Sequence, residues 1–98
     1  MRVVFTRLAR QELDAAVRYC ELEYSGLGCM FKEEVRKAAL RIAAYPQAWS
    51  IESGDVRKCL LHKFPSKLMY SLEDNHILVI AVAHQHRKPD YWVGRDEK

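Results

Sequence analysis

Apolar positions recur every three or four residues in the first half of the chain and tend to alternate in the second, so the sequence passes from helical to extended patterning partway along. Val3-Val4-Phe5 is a short β-branched and aromatic run that predicts a first strand, and Thr6 is a suitable N-cap for a helix opening at Arg7. From Arg7 to Tyr24 the stripe Leu13, Ala16, Val17, Cys20 and Tyr24 is set to face a core, while Arg10, Glu12, Asp14 and Arg18 face water. Ser25-Gly26 breaks this helix. A second set, Leu27, Phe31, Val35, Ala38, Ala39, Ile42 and Tyr45, runs on until Pro46 stops it. The short connection makes a helical hairpin, on whose stripes Tyr19, Tyr24 and Tyr45 read as packing residues.

Pro46 to Asp55 carries Pro, Ser and Gly without a period and reads as a loop, with Trp49 as its anchor to the core. Three extended runs follow, Val56 to Phe64, Lys67 to Leu72 and Ile77 to Ala83, separated by Pro65-Ser66 and by the turn Glu73-Asp74-Asn75-His76. In the middle run Leu68, Tyr70 and Leu72 alternate with Lys67, Met69 and Ser71, which predicts one core face and one more open face. The third run is apolar on both faces and belongs at the centre of a sheet. The predicted class is therefore α+β in the order β-α-α-β-β-β, with the helical hairpin on one face of a mostly antiparallel sheet and the other face left for function. The first strand joins the sheet beside a later one, and periodicity does not say which.

A chain of 98 residues reads as one domain, residues 1–98, that buries roughly 60 to 65% of its unfolded surface. The longest apolar run is far too short to span a membrane, and the first residues lack the features of a signal peptide, so the expected setting is cytoplasmic. Cys20, Cys29 and Cys59 are odd in number and form no Cys-x-x-Cys pair, which argues against a disulfide framework or a thiolate zinc site and leaves them as small buried hydrophobes. The formal charge of +3 is mild, but Val56 to Leu72 holds Arg57, Lys58, Lys63 and Lys67 with no acid. Such a stretch suits an anionic partner, or else a solvated strand face that discourages edge pairing.

The other concentration of chemistry is Val82-Ala-His-Gln-His-Arg-Lys-Pro-Asp-Tyr-Trp92, where an apolar strand runs into histidines, cations and aromatics. His84, His86, Arg87 and Lys88 are costly to bury without partners and should face water or a ligand. His84 and His86 share one face of an extended strand, but a metal site needs three or four ligands and nothing nearby completes one, so neither metal nor cofactor is expected. Tyr91 and Trp92 suit stacking on a base or capping the core after Pro89, with capping the favoured reading for Trp92 and the two readings level for Tyr91. His62 reads as structural or exposed.

The order of elements, with Ala39-Leu-Arg-Ile-Ala-Ala-Tyr-Pro46, Phe64-Pro-Ser-Lys-Leu-Met-Tyr70 and Val82-Ala-His-Gln-His-Arg-Lys-Pro-Asp-Tyr-Trp92, resembles the RelE/ParE toxin superfamily over nearly the whole chain. The resemblance implies the toxin of a bacterial type II toxin-antitoxin or plasmid-stabilisation pair, which arrests growth and is neutralised by a cognate antitoxin that wraps it. One branch of such toxins cuts mRNA in the ribosomal A site, and another inhibits DNA gyrase. By the same resemblance Lys67 and Arg87 match positions where RelE-type nucleases place phosphate-binding arginines, and His86 and Tyr91 are candidates for acid or base. Metal-free RNA cleavage needs such a base, an acid, and cations for the phosphorane charge. Arg57, Lys58, Lys63, His84 and Lys88 are the candidates for contact with nucleic acid or another target.

The match departs from the nuclease pattern in two ways. Leu60 stands where a further cation is expected beside Lys58, and Lys67 lacks the bidentate fork of an arginine. His84-Gln85 is closer to the ParE side, which needs no hydrolysis. The sequence thus favours a non-nuclease, gyrase-inhibiting toxin over a ribosome-dependent endonuclease, with a non-toxic binding protein on a degenerate toxin fold as a third reading. An antitoxin interface would cover apolar surface on the sheet or hairpin, and an uncovered patch of that kind would promote homo-oligomers.

Overall fold

Thr6 marks the passage from strand to helix in the computed structural model, which describes residues 1–85. Its backbone is extended, and its buried hydroxyl accepts a hydrogen bond from Ala9 N at 3.1 Å, filling one orphan donor of the first helical turn. Thr6→Ala removes that acceptor and is expected to cost about 1 kcal/mol. Urea unfolding measures the loss, and an unchanged midpoint would mean that the cap contributes nothing.

Strand β1 (Arg2–Phe5) leads into helices α1 (Arg7–Glu23) and α2 (Leu27–Ala44), followed by β2 (Ile51–Ser53), β3 (Val56–Leu60), β4 (Ser66–Leu72) and β5 (His76–His84). The sheet order is β1-β5-β4-β3-β2. All neighbours are antiparallel except β1 and β5, which run parallel with Val3 beside Ile77 and Phe5 beside Val79. The expected α+β class, hairpin and central position of the last strand are all present. The strands differ from the sequence reading in two of their details. The supposed loop contains β2, a three-residue strand with too little apolar periodicity to be seen. His76, assigned to a turn, begins β5 and is buried.

The hairpin closes tightly because of two glycines. Gly26 has φ of 92°, a left-handed turn that an L side chain resists. A Cβ on Gly28 would lie 2.8 Å from Val17 O of α1, so only glycine permits this approach. The Glu21 carboxylate accepts from both Gly26 N and Gly28 N at 3.0 Å, placing an anion at the N-terminus of α2.

The hairpin covers one sheet face, where Phe31, Val35, Ala38 and Ile42 pack with Cys59, Leu68, Tyr70, Ile77, Val79 and Val82. Trp49 packs against this core and donates from Nε1 to Arg41 O at 3.4 Å, as an anchor should. Glu12 departs from its expected solvent position. Beyond Val79, where the pairing with β1 ends, β5 continues, and the Glu12 carboxylate accepts from Val82 N at 3.0 Å.

The other sheet face is not the open surface that alternation suggested. Met69, Leu78, Ile80, Ala81, Ala83 and Val56 form a second buried cluster, and Lys67 and Ser71 are buried beside it. The helical tyrosines also part from expectation, since Tyr19, Tyr24 and Tyr45 are all exposed. Tyr24 and Tyr45 are the C-cap residues of their helices, beyond the last turns that meet the sheet. Cys29 is exposed on the outer side of α2, whereas Cys20 and Cys59 are buried as expected.

Candidate functional site

The alternation of β3 and β4 divides the basic residues between the two sheet faces. Arg57 sits opposite Tyr70 and Cys59 opposite Leu68 on the helix side, while Lys58 opposite Met69 and Leu60 opposite Lys67 point to the second face. His84 pairs with Ser66, in phase with the helix side, so it and Lys67 point to opposite faces. His84 is exposed and lines an open groove of about 480 Å³ with Tyr19, Cys20, Phe31, Phe64 and Pro65. His62 is exposed as well. His86, Arg87, Lys88, Tyr91 and Trp92 lie outside the described residues.

Each cation of the acid-free stretch meets an oxygen supplied from elsewhere in the chain. The Arg57 guanidinium donates to Trp49 O at 2.7 Å, tying the β2 approach to β3. Lys63 has φ of 71° and lies 4.0 Å from the Glu34 carboxylate, which also pairs with Lys37 at 3.7 Å. Glu34 is almost fully enclosed, whereas Lys63 is well exposed, so this contact is weak and solvent-screened. Lys58 and Lys67 converge on Oε1 of Glu52, at 3.3 and 3.8 Å. There the enclosure is mutual, because the Lys67 side chain is 9% exposed and that of Glu52 13%.

Two thiols near the core are chemically quiet. Burial pushes the Cys20 thiol up, aided by the Glu23 carboxylate. Burial likewise pushes the Cys59 thiol up, against the opposing pull of Arg41. A thiol held protonated is a poor nucleophile and a poor metal ligand. Among the described residues there is no group of three His, Cys, Asp or Glu side chains suited to a metal ion. No described helix is long and apolar enough to cross a membrane.

A family model described as the ParE toxin of the type II toxin-antitoxin system, parDE, matches residues 3–89. The chain belongs to this family. Its fold agrees with a solved structure titled chromosomal ParDE TA system from P. aeruginosa, with a TM-score of 0.65 at 17% identity over 86% of this chain and 95% of that one. No curated protein sequence matches. This ParE-family chain is thus a type II toxin by membership, as its sequence blocks implied.

For this ParE-family member the residue that sequence reasoning missed is Glu52. It lies in the stretch read as loop and just outside the acid-free window, so neither spacing nor charge counting linked it to Lys67. The strand β2 brings it there. Lys67 is the second residue of β4, and its burial, which the sequence did not disclose, is what requires an anion from somewhere.

Proposed function

We propose that this ParE-family toxin arrests growth in the bacterial cytoplasm by inhibiting DNA gyrase, without cutting RNA, and that a cognate antitoxin holds it inactive. The observation that carries the choice of branch is the Glu52 carboxylate between Lys58 and Lys67. A nuclease of RelE type would need these positions to grip a phosphate and to stabilise the developing phosphorane charge. Here both lysines already face a carboxylate, and turning Lys67 outward would strip an enclosed anion of one of its two cations. Arg57, the arginine of β3 and the one bidentate fork on that strand, points to the other face and is engaged by Trp49 O.

An inhibitor that works by binding needs none of this chemistry, so the loss of free cations leaves it unharmed. An antitoxin segment has apolar surface to meet in the groove between α1, the start of α2 and the β3–β4 connection, and exposed Leu22 and Tyr24 extend that apolar character along α1.

Induced alone in a bacterial host, the chain is expected to stop growth while transcripts remain intact. Lys67→Met, which keeps length and removes charge, is expected to preserve the arrest if the folded protein accumulates. Arrest accompanied by codon-positioned mRNA cuts, and abolished by Lys67→Met, would reverse the assignment to the nuclease branch.

A further inference from the structure

We propose that Lys58 and Lys67 form an anion-binding site which Glu52 fills in cis, and that an acidic side chain of a protein partner takes its place when β2 leaves the sheet edge. The inference stands on the geometry of this edge and holds whichever target the toxin has.

The Glu52 carboxylate is held there by charge alone. Its Oε1 is buried, lies within ion-pair distance of both lysines, and makes no hydrogen bond. An incoming carboxylate can therefore replace it without breaking any hydrogen bond to that oxygen. The reverse is costly, because Lys67 without an anion would be an enclosed, uncompensated cation. The site thus needs an occupant.

The element carrying Glu52 is built to let go. β2 has three residues, sits at the end of the sheet order, and pairs with β3 through Ile51–Arg57 and Ser53–Val56 with an irregular register between them. Its remaining hydrogen-bonded ties to β3 are those of Lys58 N to Ser50 O and of Arg57 to Trp49 O, just before the strand. Ile51 is 60% exposed, so little apolar burial holds the strand down. Gly54, with φ of 55°, provides the turn into β3 about which the strand can swing. Edge strands of this kind are the places where a second chain adds to a sheet.

The chemistry favours a carboxylate of a polypeptide over a nucleic acid. Two lysines arranged around one carboxylate are compact point charges matched to a single anion. A nucleic-acid backbone needs a track of cations along successive phosphates. The other cations of this stretch do not extend one, since Arg57 is on the opposite face and Lys63 lies off the strands, in the connection between β3 and β4.

The test uses the full chain with Glu52→Gln, titrated with a polyglutamate peptide and, separately, with a short single-stranded RNA at low salt. The variant is expected to bind the peptide roughly tenfold more tightly than the unmodified chain, the effect of one close charge pair, and to lose the gain when Lys67→Met is added. Ser53→Pro, which loosens β2 without touching a charge, is expected to shift peptide binding in the same direction. If Glu52→Gln does not fold, Ser53→Pro decides. Folded variants with no gain for the peptide would overturn the proposal, and so would a gain confined to RNA.

Discussion

Leu68→Ala is expected to lower the unfolding free energy by about 3 kcal/mol, within the usual range for a buried leucine. Leu68 is fully buried on β4, flanked by Cys59 of β3 and Val82 of β5, on the face against the hairpin. Removing its isobutyl end loses both the transfer term and the packing around it, because strands fixed on both sides cannot collapse into the gap. Small domains commonly hold roughly 5–15 kcal/mol in all, so the variant gives up a large share. Leu60→Ala on β3 is the control, since Leu60 is 48% exposed and its loss should stay within about 1 kcal/mol. Equal, small effects at both positions in urea unfolding would contradict the alternation that places Lys67 on the opposite face from Leu68.

Alkaline pH is expected to produce the second large loss, through Tyr70. Burial raises this phenol from its ordinary 10 to about 12, with Cys59 adding to the shift and Arg57 opposing it. Its hydroxyl donates to Pro46 O at 2.6 Å, so deprotonation would leave a buried phenolate facing a carbonyl. The folded chain binds the proton more tightly than the unfolded one. The stabilisation is therefore whole below pH 10 and drains away as pH rises from 10 towards 12, by about 2–3 kcal/mol in total. Tyr70→Phe loses the hydrogen bond at neutral pH but should remove this alkaline slope, and parallel slopes in the two proteins would show that other groups carry it.

What the sequence disclosed was what periodicity and local chemistry encode. Thr6, Gly26 and Pro46 punctuate the hairpin because caps and breakers act over a few residues. The both-faces-apolar run Ile77 to Ala83 could only be a central strand. The parallel pairing of β1 with β5 was hidden, since it depends on a return across more than seventy residues and leaves no local mark. β2 was hidden because three residues are too few to display a period. Tyr19, Tyr24 and Tyr45 misled because a helical stripe marks direction around an axis and says nothing of where the sheet beneath it ends. At the site, Lys67 and its basic neighbours were legible, but their partners were not. Glu52, Glu34 and the Trp49 carbonyl reach them only through tertiary structure, and they convert an apparently free basic strand into a partly engaged one. That engagement supports the proposed binding toxin, the branch that the sequence already favoured.

The most direct measurement follows plasmid supercoiling by purified gyrase with the purified chain added, alongside mRNA integrity in a translating extract given the same amount of protein. The gyrase-inhibiting account expects supercoiling to stop while the mRNA stays whole, and expects added antitoxin to restore supercoiling. Undisturbed supercoiling together with ribosome-dependent mRNA cuts would contradict it.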